Sequence, residues 1–188
     1  RRKESKRMQI KTERLLLRPF AEADAADLYK YAKDPEVGPA AGWPPHGSVE
    51  ESRNIIRLVL NGPESYAICK KEDGRVIGAI ALKLNSDSRL AEGEYACELG
   101  YWIGKPFWGQ GLMTEASEAL LCRAFTELGM RRVWCGYFEG NEKSKRVQEK
   151  LGFRHEKTVR EVDVPLLNEV RTEQVSLLSR EAWLQKSM

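Results

Sequence analysis

Residues 98–116, ELGYWIGKPFWGQGLMTEA, constrain this chain more than any other stretch. An apolar run ends at Gly104, a short Gly- and Pro-containing connection follows, and a helical pattern then begins. From Met113 onward Ala116, Ala119, Leu120, Ala124 and Leu128 recur on one face of a helix. A strand that feeds directly into an amphipathic helix belongs to α/β architecture. Gly109-Gln110-Gly111 stands at the helix entrance. Glycines there turn successive N–H groups toward one point and leave room for a bulky anion where a Cβ would obstruct it. The start of the helix adds unsatisfied donors and a partial positive charge, which suits phosphate. G-x-G alone also fits a turn that holds no ligand. The chain contains no G-x-x-x-x-G-K-[ST] and no G-x-G-x-x-G, which argues against a P-loop and against a dinucleotide-binding fingerprint.

Around this unit the chain reads as alternating strands and helices. Residues 14–20 form a strand ending at Pro19, and 23–32 a short helix. Residues 37–48, VGPAAGWPPHGS, are crowded with Gly and Pro and predict a long loop of the functional kind. Ser48 and Glu51 form a capping box for a second helix with Ile55, Ile56, Val59 and Leu60 on its apolar side. Strands at 66–70 and 76–84 are joined by the turn Glu72-Asp73-Gly74-Arg75, and a fourth strand runs over 95–103. After the helix at 113–128 come a strand at 132–137 and a short helix at 141–150 closed by Gly152. Strands at 153–162 and 169–178 end the pattern.

Composition narrows the function classes. Apolar residues at 41% and charged residues at 31% describe an ordinary globular chain. The net charge of +3 is too small to argue for nucleic acid, and much of it sits before Met8. Residues 1–11 are expected to be a basic tail or an expression remnant, and 12–188 one domain. No apolar run is long enough to cross a bilayer and residues 1–7 lack the apolar stretch of a signal peptide, so a cytoplasmic location without membrane association is expected. The four cysteines form no C-x-x-C pair and only two histidines accompany them, so no metal site is expected.

Four segments together resemble the GNAT superfamily of N-acetyltransferases, especially the branch acting on ribosomal-protein N-termini and small amines. They are TERLLLRPF at 12–20, ELGYWIG at 98–104, FWGQGLMTEA at 107–116 and NEKSKRVQEKLGF at 141–153. They stand in family order and at family spacing. The resemblance implies an α/β fold with a central mixed, mostly antiparallel sheet of about six to seven strands, a parallel βαβ element and about four flanking helices. It implies acetyl-CoA as co-substrate, with no metal. The pyrophosphate-cradling role falls on Trp108, Gly109, Gln110, Gly111, Leu112, Met113 and Thr114. Tyr101, Trp102 and Ile103 would run beside the pantetheine arm in a split between neighbouring strands. Asn141 and Ser144 match positions that touch that arm and the thioester end. Pro106 stands where many relatives have Gln or Arg, and Lys105 beside it offers a surface cation.

The reaction so implied is transfer of an acetyl group to a primary amine, on a protein N-terminus or a small molecule, by direct attack. An ammonium has no lone pair, so a base must take a proton from it. Glu98 is the first candidate, an acid in an otherwise apolar strand, and Glu94 the second. Glu115 is explained by the helix dipole it faces. Many relatives protonate the leaving thiolate with a tyrosine, and Gln148 stands at that place; either Ser144 offers a hydrogen bond or water protonates the thiolate after release, and the general acid stays unassigned. Trp43 and His46 in the 37–48 loop are the candidates for the acceptor wall, with His46 by default a solvent-facing loop residue. Aromatic Phe107, Trp108 and Trp102 serve either the coenzyme tunnel or packing. The alternative reading is a non-catalytic acyl-CoA sensor or scaffold. The acceptor's identity and the choice between monomer and homodimer stay open.

Overall fold

The computed structural model describes residues 8–84 and 87–188. Residues 1–7 of the expected basic tail lie outside the described residues. Among the described residues eight strands form one sheet: β1 (Ile10–Lys11), β2 (Leu15–Arg18), β3 (Ser65–Lys70), β4 (Val76–Leu84), β5 (Ala96–Ile103), β6 (Arg132–Phe138), β7 (Arg154–Val164) and β8 (Glu169–Ser179). Their order is β1-β2-β3-β4-β5-β6-β8-β7. Every neighbouring pair is antiparallel except β5 and β6, which run parallel. The strand beyond the expected seven is β1: Ile10 and Lys11, assigned to the tail by sequence, pair with Leu17 and Leu16.

Among the described residues six α-helices flank the sheet: α1 (Ala25–Ala32), α2 (Gly38–Ala41), α3 (Val49–Leu58), α4 (Leu112–Thr126), α5 (Glu142–Leu151) and α6 (Arg180–Lys186). This corrects the expectation of about four, the additions being α2 and α6. Half of the capping box forms: Ser48 Oγ accepts the Glu51 N–H at 3.0 Å, while the Glu51 carboxylate takes the Gly47 N–H and not that of Ser48. The α3 apolar side is shorter than its sequence implies: Ile56 is buried, whereas Val59 past the helix end is 62% exposed.

Strand alternation divides the interior. Ala25 and Leu28 of α1 and Ile56 of α3 pack on Ala67, Cys69, Val76 and Ala79 on one face. The opposite face carries Cys97, Leu99, Val133 and Cys135 under Leu120, Leu121 and Phe125 of α4. The connection from β5 through α4 to β6 is the parallel crossover, and it decides where the sheet opens. β6 pairs with β5 only from Ala96↔Arg132 to Glu98↔Trp134. β4 stays paired to β5 all the way from Leu84↔Cys97 to Gly78↔Ile103, in unbroken register. From Leu99 to Ile103 the β6 side of β5 therefore has no strand partner, and the two strands splay apart.

Candidate functional site

The mouth of this split is the 104–111 connection. Gly109 and Gly111 both adopt left-handed backbone, at φ of 73° and 76°. A Cβ at Gly109 would meet nothing within 4 Å, so glycine is required there by conformation and not by crowding. Among the described residues, the backbone N–H groups from Gly109 through Thr114 donate to no other residue. These are the orphan donors of a helix start, gathered by a left-handed turn into an arrangement that suits an anion.

Arg14 of the β2 entrance holds this loop from outside. Its Nε donates to Glu115 Oε1 at 2.8 Å and its Nη1 to the Gln110 carbonyl at 3.0 Å. Burial opposes the charge on Glu115, but the bonds from the Thr12 hydroxyl and from the Arg14 backbone and side chain outweigh it and hold the carboxyl below its usual pKa. Glu115 is thus a strut between helix and sheet as well as a charge at the helix start. On the other side Lys143 Nζ stands 3.8 Å over the Trp108 ring. Pro106 supplies no cation, and Lys105 is tied to Glu36. Arg14 and Lys143, brought from distant segments, stand at the loop instead. No local motif marks either one.

A groove of about 800 Å³ runs from this loop along the splayed edge to the other face of the sheet. Its walls take in Trp108, Gly109, Gly111, Leu112, Met113 and Thr114, then Tyr101, Trp102 and Ile103, then Asn141 and Ser144. Gln110 is not among them; its side chain turns back onto the Pro106 carbonyl at 3.0 Å. Asn141 caps α5, its side-chain oxygen accepting the Ser144 N–H at 3.3 Å. Trp108 Nε1 donates to the Ile103 carbonyl at 3.0 Å, which pins the loop to the end of β5.

Glu98 stands at the last paired position before the split opens, and it is 8% exposed. Cys97 and Leu99 belong to the core under α4, so alternation aims Glu98 at the opposite face. Ser88 Oγ donates to Glu98 Oε2 at 2.6 Å, and Lys83 Nζ lies 4.0 Å from Oε1. The carboxylate also lines the groove. Glu94 is exposed and outside the groove wall.

Across the split, Ser144 belongs to a chain of polar side chains. Tyr101 Oη and Ser144 Oγ are 2.8 Å apart, and Gln148 Nε2 donates to Ser144 Oγ at 3.2 Å. Gln148 Oε1 accepts from Ser176 Oγ at 2.6 Å. Burial raises the Tyr101 hydroxyl well above its usual pKa, so it stays protonated, although its bonds to Ser144 and Gln148 pull the other way. Gln148 is therefore an interior amide that orients Ser144. The hydroxyl of Tyr101 is the member of this chain that sequence reasoning missed, having assigned the residue only a backbone role.

Trp43 and His46 meet in the wall of the groove. Trp43 packs edge-on against Trp102 of β5, with centroids 5.4 Å apart, and against His46 at 5.1 Å. His46 is 9% exposed, which corrects the solvent-facing default. Its backbone N–H reaches the Ala32 carbonyl and its Nδ1 lies 2.8 Å from Ser52 Oγ, so the loop folds inward onto α1 and α3. Burial lowers the His46 pKa, against a smaller upward pull from Glu51. Between that lowered value and the unfolded value of about 6.5 the unfolded chain binds the extra proton. Stability supplied by neutral His46 is thus intact above about pH 6.5 and is lost as pH falls. A ring titration by NMR is expected to give His46 a midpoint below 6.5; a midpoint at or above it would mean the imidazole is solvated.

Residues 14–154 match the family described as Acetyltransferase (GNAT) domain. Over 90% of its length the chain is 29% identical to "Uncharacterized N-acetyltransferase p20" of Bacillus licheniformis, covering 96% of that protein. Identity is 40% to "Putative ribosomal N-acetyltransferase YdaF" of Bacillus subtilis, over 54% of this chain and 51% of that one. The crystal structure of a GNAT-family acetyltransferase from Bacillus anthracis superposes with a TM-score of 0.81 at 26% identity, covering 93% of this chain and 99% of the other.

Proposed function

This chain belongs to the GNAT acetyltransferase family, and from that premise we propose that it moves the acetyl group of acetyl-CoA to a primary amine by direct attack. One observation carries the reading: β5 and β6 part just beyond Glu98, and the opening begins at a loop whose N–H groups are unused. The co-substrate supplies an activated thioester; the chain supplies its anchorage and the handling of two protons. Backbone N–H groups of Gly109–Thr114 would hold the pyrophosphate, with Arg14 and Lys143 nearby as cations. The free edge at Tyr101, Trp102 and Ile103 would pair with the pantetheine amides as an added strand does.

At the acceptor end, Glu98 takes the proton that the attacking amine must lose. A backbone N–H of the splayed strand near Trp102 or Ile103 faces the oxyanion of the tetrahedral intermediate. The Ser144 hydroxyl accepts from Gln148 and so keeps its own proton to offer toward the departing thiolate. Trp43 and His46 wall the acceptor. The ribosomal activity in the name of the Bacillus subtilis relative makes a protein N-terminus one natural acceptor; a small amine is the other.

Thermal unfolding with acetyl-CoA at about 100 times its Kd should gain about 2.7 kcal/mol, or roughly 5–10 °C for a domain of this size. Thiol release on adding amines then tests catalysis. No shift in the folded protein would sink the coenzyme site. A shift without thiol release for any amine would leave an acyl-CoA-binding module.

A further inference from the structure

A second buried carboxylate shares the acceptor end of the groove with Glu98. Glu173 of β8 is 5% exposed and lines the same cavity. Its face follows from the register. Glu98 pairs with Trp134, Gly136 lies two positions on from Trp134 and pairs with Val175, and Glu173 lies two positions before Val175. Alternation places all of these on one side of the sheet. Gly136 makes the approach possible, since a Cβ there would stand 2.6 Å from Glu173 Oε1. By register Glu173 stands beside Phe138, four residues or about 13 Å of β6 beyond the Glu98 level at Trp134, but its carboxylate leans back to Gly136, about 7 Å from that level.

The partner of Glu173 is unlike an interior ion pair. Arg89 Nη2 donates to Oε1 at 3.0 Å, but Oε2, though 2.7 Å from Nη1 and buried, accepts no hydrogen bond among the described residues. Arg89 is itself 57% exposed while Glu173 is 6% exposed at the side chain. Lys83 beside Glu98 repeats the pattern, at 51% against 11%. The anions are fixed in the sheet and the cations reach in from solvent on long, rotatable side chains. An incoming cation can displace such an arginine at little cost, whereas the carboxylate cannot leave.

We propose that Glu173 anchors a second positive charge on the acceptor, a few bonds from the amine that attacks near Glu98, and that Arg89 stands in for that charge until the acceptor binds. This rests on the acetyltransferase reading above and adds a substrate class to it: aliphatic diamines and polyamines, or peptides with a basic residue just after the N-terminus.

The test compares kcat/KM for 1,4-diaminobutane and 1-aminobutane, and for a peptide pair with lysine or alanine at position two. The first pair reads the small-molecule source and the second the peptide source. In wild type, one pair or both should favour the cationic member by about 10- to 100-fold, the worth of one hydrogen bond to a charged group. Glu173→Gln should bring that ratio toward one, and Arg89→Gln should raise it. A merely structural ion pair predicts that both variants move the ratio alike or not at all. That outcome, or no preference in wild type, overturns the inference while leaving the acetyltransferase reading intact. No acetylation of any amine overturns both. The stabilising shift with acetyl-CoA verifies that each variant is folded.

Discussion

Glu98→Gln is expected to lower kcat by about 10²- to 10⁴-fold at neutral pH, the usual share of a positioned general base. The substitution keeps the shape and can still accept the Ser88 hydroxyl, which now reaches Glu98 Oε2 at 2.6 Å. It removes only the ability to take a proton. Acetyl-CoA binding should hold, because the loop of unused N–H groups lies at the other end of the groove. Raising the pH should return part of the lost rate, since a simple amine with a pKa near 10 then arrives already neutral. The informative pairing is therefore a large deficit at pH 7 that shrinks by pH 9–10. If kcat is unchanged at every pH, with chemistry shown to limit the rate, Glu98 is not the base and its burial needs another cause.

Much of this arrangement was legible in local patterns, for physical reasons that differ by element. The Ser48 cap of α3, the hairpin turn at Glu72–Arg75 and the glycine pair before α4 are each set by neighbours in sequence, and each forms where those residues stand. The GNAT resemblance read from four segments is the family that the chain matches. What stayed hidden depends on distant partners. α6 has only seven residues, too few to be stable alone, and is held where Trp183 packs on Phe125 at 5.3 Å. β1 exists only because β2 offers it an edge. His46 follows two prolines and reads as a surface residue until α1 and α3 close around it. Arg14 and Lys143 approach the 104–111 loop from 96 and 33 positions away, counting from Gln110, and nothing in their own surroundings marks them. Glu173 sits in a polar run of β8, where alternation gives its face but not the cavity it meets.

The largest stability change is expected far from the groove, at Arg123. Its guanidinium, in the last turn of α4, grips Glu64 just before β3 with two bonds, Nε to Oε2 at 2.8 Å and Nη2 to Oε1 at 2.6 Å. Tyr66 adds its hydroxyl to the same carboxylate. Both charged side chains are largely out of solvent, at 12% and 7% exposure. The bonds to Glu64 drive the Arg123 pKa up, ahead of an opposing effect of burial. Arg123→Met should then cost about 3–5 kcal/mol, because the Glu64 carboxylate is left buried with a phenol as its remaining partner among the described residues. For a domain of this size that lowers Tm by roughly 6–20 °C. The cause is separable by a second protein. Glu64→Leu and Tyr66→Phe added to Arg123→Met remove the buried polar groups of the cluster together, leaving only the exposed Glu127 that also pairs with Arg123, and most of the stability should return. Urea unfolding of the single and triple variants decides between two accounts. A single-variant loss under about 1 kcal/mol would place the pair in effectively solvated surroundings. A triple variant as unstable as the single would mean that the attraction itself, and not the orphaned charge, holds α4 against the sheet.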